Sequence, residues 1–213
     1  MKKLFLPTII ALIVFSSFSF NDKYEKAMLK NIELVYKAQT QEDFKTVLNN
    51  LERIANAEKD KWEPHYYASF AYVMLSTRAE EISKKDEYLD LAQKQLDKGI
   101  ALNEAESELV AMQGFIHMIR VSVDPATRGQ QYSGMAMQSL NKAVQMNPEN
   151  PRALLMLGQM SHGMAQFFGS DTSEACGLID KSLEKFETYK SDNPLAPQWG
   201  KGQAQGMKQQ CSK

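Results

Sequence analysis

AMQSLNKAVQMNPENPRALLMLG, residues 136–158, decides the fold. Ala136, Leu140 and Ala143 recur at spacings of four and three, which places them on one narrow stripe of a helix. Pro148 lies five residues past Ala143 and stops that helix, because proline lacks the amide donor and its ring clashes with the preceding turn. Asn150 and Pro151 then offer a side-chain cap and a first helical residue whose φ is already set. Leu154, Leu157 and Gly158 resume an apolar stripe, with Gly158 where two helices must approach closely. The stretch reads as helix, tight turn, helix.

The same phrase recurs outward from there. Pro64 opens an earlier pair: Tyr67, Phe70, Ala71 and Met74 stand to Pro64 as Leu154, Leu157, Gly158 and Ser161 stand to Pro151. Ala92, Leu96 and Gly99 give that pair its second stripe. Another pair begins near Glu106, with Gly114 or Gln113 at the close approach, and its second helix runs into the opening stretch. The pair from Pro151 continues to Phe168, breaks at Gly169-Ser170-Asp171 and resumes with Ala175, Ile179 and Ser182. At the front, Asp22–Ala38 and Gln41–Ala57 form the first pair, with Phe44, Leu48 and Leu51 on its second member. Two connections are longer than the usual tight turn: the charged segment 77–85, which reads alternatively as a solvated helix extension, and the loop DPATRGQQY, residues 124–132. Asp192-Asn193-Pro194 and Pro197 stop and restart the chain before a last helix over Trp199–Cys211. No run alternates apolar and polar residues in the manner of a strand.

The phrase small-x3-large-x2-small-x4-Pro, followed by large-x2-Leu-Gly, resembles the tetratricopeptide repeat (TPR). The resemblance implies an all-α, TPR-like superhelical stack of about four helical hairpins with a C-terminal capping helix, a single domain over residues 21–213. With DPATRGQQY, NPENPRALLMLGQ, FFGSD and PQWGK, the chain resembles exported TPR proteins of the Bacteroidota, most specifically from Asp124 onward. That implies a periplasmic interaction module and names no reaction. In TPR proteins the second, fifth, ninth and twelfth positions of each first helix line a concave groove. Carried over, these are His65, Ala68, Tyr72 and Leu75; Glu108, Ala111, Phe115 and Met118; and Arg152, Leu155, Gln159 and His162. The mixture of aromatic, apolar and polar groups suits a peptide or a mixed small ligand. A groove filled by the protein's own insertions or tail is the competing reading. In DPATRGQQY, Gly129 allows an unusual backbone angle, and Arg128 and Tyr132 could project toward the groove. Arg128 would either clasp a carboxylate or bond the last carbonyls of the preceding helix.

At the N-terminus Lys2 and Lys3 precede the apolar run Leu4–Phe15 and the small residues Ser16, Ser17 and Ser19. That order reads as a secretory signal peptide over residues 1–20, removed on export to the periplasm and leaving no stable membrane anchor. The alternative, an uncleaved anchor, has only a short run interrupted by Pro7. Without Lys2 and Lys3 the chain carries 23 basic and 26 acidic side chains, a balance that gives no reason to expect nucleic acid as partner. Cys176 and Cys211 would meet an oxidising compartment. A turn near Ser191–Ala196 makes Cys176–Lys190 and Pro197–Cys211 antiparallel arms of equal length, so the sulfurs come out level. A disulfide there would stabilise by roughly 3–4 kcal/mol; two unpaired thiols are the alternative.

Catalytic patterns are missing from the sequence: there is no CxxC, HExxH, GxSxG or phosphate-binding glycine loop. His65, His117 and His162 fall on different hairpins. Met156, Met160 and Met164 recur every four residues, and thioethers suit soft metals. His162 lies about 200° round the helix from Met160, at roughly 100° per residue, so core packing is the favoured role for the ladder. The expectation is a non-enzyme without cofactor or metal. It is a scaffold holding a protein or peptide in a groove lined by Tyr72, Phe115, Arg152 and Gln159. The alternative is a small-molecule carrier or accessory protein of a periplasmic transport system, whose groove closes into an apolar pocket.

Overall fold

Each hairpin in this sequence carries more apolar surface than two helices can hide from one another, so hairpins must stack to bury it. In the computed structural model, which describes residues 14–211 with side chains from Asp22, they do so. The elements are α1 (Val14–Lys37), α2 (Gln41–Ala57), α3 (Glu63–Ser76), α4 (Ile82–Leu102), α5 (Ser107–Val123), α6 (Pro125–Met146), α7 (Pro151–Phe168), α8 (Ser173–Thr188) and α9 (Lys201–Cys211). Pairs α1/α2, α3/α4, α5/α6 and α7/α8 are the four hairpins, and α9 packs on α8 as the cap. This is an all-α, TPR-like stack. Residues 1–13 of the expected leader lie outside the described residues. Among the described residues no helix is long and apolar enough to cross a membrane.

One core runs from Met28 of α1 through Phe44, Leu51, Tyr66, Leu89 and Leu96 to Met112 and Ile116 of α5. A second joins Ala111, Leu140, Ala143 and Met156 across α5, α6 and α7, and a third joins Leu155, Ile179 and Ala204 across α7, α8 and α9. Gly114 and Gly158 are the close-approach points. A Cβ at Gly114 would fall 2.5 Å from Leu140 Cδ2, and one at Gly158 2.6 Å from Ile179 Cδ1. Capping follows the sequence. Thr40 and Asp43 form a reciprocal box at the start of α2, and Asn150 Oδ1 accepts from the amides of Arg152 and Ala153 at 3.0 Å each.

DPATRGQQY is a correction. It is not a loop but the first turns of α6: Asp124 caps the helix by accepting from the Thr127 amide, and Pro125 takes the first helical position, where its missing N–H costs nothing. Gly129 has an ordinary helical backbone; positive φ occurs among the described residues only at Gly169 and Gly200. The connection expected over 77–85 is also shorter, since α4 is already helical from Ile82.

Cys176 and Cys211 form the expected disulfide, with α-carbons 5.7 Å apart. It ties the first turn of α8 to the last turn of α9, so those helices run antiparallel. Unfolded, unreduced protein is expected to titrate with no free thiol. The loop of 35 residues between the cysteines corresponds to roughly 4 kcal/mol. Reduction should therefore lower the Tm by about 8–16 °C in a calorimetric scan.

Candidate functional site

The first helices of the hairpins, α1, α3, α5 and α7, form the inner face where a groove is expected. The chain fills it with its own segment 193–200. Asn193 donates to Glu63 Oε1 at 3.0 Å, and the Leu195 carbonyl accepts from the Tyr67 hydroxyl at 2.7 Å. The Gln198 amide donates to the Tyr36 hydroxyl at 3.1 Å. Trp199 stacks between Phe70 and Phe115, with ring centroids 5.1 and 5.5 Å away, and its Nε1 donates to the Tyr66 hydroxyl at 3.0 Å. Gly200 then turns with φ +112°, a conformation that favours glycine, and a Cβ there would fall 2.7 Å from Phe186 Cζ.

Beneath this strap lies a buried ion pair. Arg152, 1% exposed, donates from Nε to both oxygens of Glu108 at 2.9 Å and from Nη2 to Oε1 at 2.7 Å. Its Nη1 reaches the Trp199 carbonyl at 3.3 Å, and its guanidinium lies 4.9 Å from the Tyr189 ring. Burial, the largest single influence, acts to lower the Arg152 pKa; the charge and hydrogen bonds of Glu108 outweigh it and hold the guanidinium above its ordinary value.

The residues expected to share the groove do not share one surface. Phe115 and Arg152 lie under the strap. His65 is buried and bonds through Nδ1 to Gln95 Oε1 of α4 at 2.8 Å. Tyr72 is half-buried, its pKa raised by burial and then by Glu52 and Tyr88, which places it toward α2 and α4. Arg128 does clasp a carboxylate, but the chain's own: both terminal nitrogens meet Asp86 of α4, at 2.6 and 2.8 Å. Tyr132 lies against His117, with Arg120 over its ring at 5.7 Å. His162 is buried beside the disulfide, while Met118 and Gln159 face a different opening.

That opening is a cleft of about 860 Å³ between the end of α5, the start of α6 and the end of α7. Met118 and Val121 come from α5, and Met160, Met164, Phe167 and Phe168 from α7. The α6 wall is Pro125–Gly134, most of it from the stretch 124–132 expected to be a loop, and its Gln130 and Ser133 join Gln159 as the polar side chains of the lining. No charged side chain lines it. Phe167 is 83% and Phe168 70% exposed, the two most exposed large apolar side chains described. Gly129, Gly134 and Gly163 also line the cleft, and a Cβ at any of them would meet nothing within 4 Å. A second, shallow cleft of about 530 Å³ between α1 and α2 carries the exposed cations Lys23, Lys30 and Arg53. The methionine ladder divides: Met156 is core, and Met160 and Met164 face the large cleft. From the sequence Phe167-Phe168-Gly169 reads as a structural anchor of the fourth pair, a reading that the exposure of both rings corrects.

No protein-family model and no curated relative matches the chain. Among solved structures it is similar to the HusA haemophore from Porphyromonas gingivalis, with a TM-score of 0.79 and 24% identity over 88% of this chain and 92% of that one. It also matches a thermophilic TPR protein, TTC0263 of Thermus thermophilus, with a TM-score of 0.48 and 18% identity over 67% of this chain and 61% of that one. A third match is the MamA protein, with a TM-score of 0.35 and 17% identity over 81% and 99% of the two chains. The first of these likenesses extends the stacked-hairpin fold to nearly the whole of both chains.

The buried polar groups should show themselves in stability measurements. Arg152→Met strands the Glu108 carboxylate and should cost about 3–5 kcal/mol in denaturant unfolding; adding Glu108→Leu should recover much of that loss. His117 has its pKa lowered, first by burial and then by Arg120, so it resists protonation only in the folded chain. Its contribution is complete above the ordinary histidine value near 6.5 and is lost as pH falls toward the lower folded value. A His117→Gln variant should show a flatter stability profile than the parent across that acid window.

Proposed function

We propose that this chain is a non-enzymatic helical-repeat carrier that takes a large, flat, apolar small molecule into the α5–α6–α7 cleft. The carrying observation is the cleft itself. Its volume, about 860 Å³, falls in the range of roughly 300–1,000 Å³ common to ligand sites, and its lining is methionine, phenylalanine and glycine with a few amides and hydroxyls. Phe167 and Phe168 stand uncovered at its lip, where a ligand would cover them. A tetrapyrrole is the class that fits best: an apolar disc whose carboxylates sit on one edge and can stay in water while the ring enters. The fold likeness to a protein named as a haemophore supports that class. The lining offers thioether sulfurs and no imidazole or thiolate, so apolar contact supplies the binding. Export to the periplasm belongs to the same reading and rests on the leader pattern of residues 1–20.

A second reading, capture of an extended protein segment on the inner face, draws support from the strap. Residues 193–200 already lie there as an extended segment, so a partner would have to displace them.

Haem and iron-free protoporphyrin titrated into the full chain should each shift their absorption and quench tryptophan emission at one equivalent. Gly163→Leu projects a side chain into open cleft space and should weaken both by tenfold or more. It should not destabilise the helix, since glycine costs about 1 kcal/mol there relative to good helix formers. Undiminished binding by a folded Gly163→Leu chain would remove the cleft from consideration.

A further inference from the structure

On the face of α7 turned away from the cleft, His162 meets both sulfurs of the disulfide. The ligand atoms of His162, Cys176 and Cys211 all lie within 4.8 Å of one another. His162 is 5% exposed, and its ring makes no hydrogen bond or ion pair with any described residue. The three groups come from three different helices, each anchored nearby. Leu155, Ile179 and Ala204, within one or two turns of His162, Cys176 and Cys211 respectively, pack together as a small core. Lys208 pairs with Asp180 across α8 and α9 in the adjoining turn. These contacts hold α8 and α9 against α7 whether or not the sulfurs are joined.

We infer that reduction of the Cys176–Cys211 disulfide converts this contact into a Cys2His site for a thiophilic cation of the Zn²⁺ class. Two thiolates and one imidazole from rigid helices are a common three-ligand set for zinc, leaving one position open. A dithiol reductant gives two electrons and two protons to the disulfide, itself closing to a cyclic disulfide, and leaves two cysteine thiols. The cation binds both sulfurs as thiolates with release of two protons, and the neutral imidazole adds a lone pair. Two negative sulfurs cancel the double positive charge, so the site is neutral overall and tolerates its partly buried position. Disulfide and metal are therefore mutually exclusive states of one locus. The inference stands apart from the cleft, which α7 presents on its other side.

Co²⁺, whose tetrahedral thiolate complexes absorb strongly, is the probe. Added to the full chain after reduction and removal of the reductant, it should bind at one equivalent with a thiolate-to-cobalt charge-transfer band and intense visible bands, and Zn²⁺ should displace it. The oxidised chain should show neither. His162→Gln should keep the charge-transfer band and weaken binding tenfold or more, and a Cys176→Ser, Cys211→Ser chain should lose the band altogether. Circular dichroism follows the fold throughout. Three results would each overturn the inference: no charge-transfer band in a reduced chain that keeps its helicity, unchanged affinity in His162→Gln, or loss of helicity on reduction, since the three ligands would then not be held together.

Discussion

Trp199 closes the inner face, and much of the C-terminal third follows from where it sits. Its indole is held between Phe70 of α3 and Phe115 of α5, while its ring nitrogen donates to Tyr66 and its carbonyl accepts from Arg152. Trp199 is partly buried, so its burial contributes less than the roughly 1.5–3 kcal/mol of a fully buried large apolar side chain. Each offset aromatic pair adds about 0.5–1.5 kcal/mol. With the indole fixed, Gly200 must turn sharply against Phe186, α9 must start at once, and Cys211 is carried to Cys176. The disulfide thus secures an arrangement that the aromatic stack has already set.

The Arg152–Glu108 pair shows why a charge is tolerated under that strap. Removing both ions from water is expensive, and their attraction alone does not always repay it. Here the geometry is close to complete: three guanidinium contacts go to the carboxylate, one goes to the strap's Trp199 carbonyl, and the Tyr189 and Phe186 rings flank the cation. The pair links α5, α7 and the strap at one point, so its value is positional. An apolar pair of the same size could fill the space but would leave the Trp199 carbonyl without a donor.

Local chemistry was legible from the sequence. Pro148, Asn150 and Pro151 act within a few residues of themselves, and the hairpins, the caps and the Gly114 and Gly158 contacts appear where the spacing puts them. The pairing of Cys176 and Cys211 was read from the sequence on arms of equal length, but α8 has 16 residues and α9 has 11, and the residues between them form the strap; the pairing holds although that geometry does not. What covers the inner face was not. Tyr67 meets Leu195 across 128 residues and Tyr66 meets Trp199 across 133, and an apolar helix face looks the same whether solvent, a partner or the chain's own tail will lie on it. Counting positions along each first helix therefore mixed residues of different surroundings: His65 turned to α4, Phe115 to the strap, His162 to the disulfide. In DPATRGQQY the proline and glycine read as breakers, although Asp124 with Thr127 three residues on is a helix-start signal.

Closure of the inner face and the opening of the cleft have the same origin. α6 runs 22 residues against 17 for α5, because its N-terminal turns, Pro125–Gly134, are built from the stretch that a minimal hairpin would not contain. Those turns stand opposite the C-terminal half of α7. The strap crosses α7 at Arg152, in its first turn, and does not reach that half. Burial along α7 records the division: residues 151–158 are all buried, and of residues 159–168 only His162 is, on the side covered by α8 and α9. The remaining apolar groups of that half, Met160, Met164, Phe167 and Phe168, face α6 across a gap that no described segment fills. An occupant of the gap would therefore have to bring its own apolar surface.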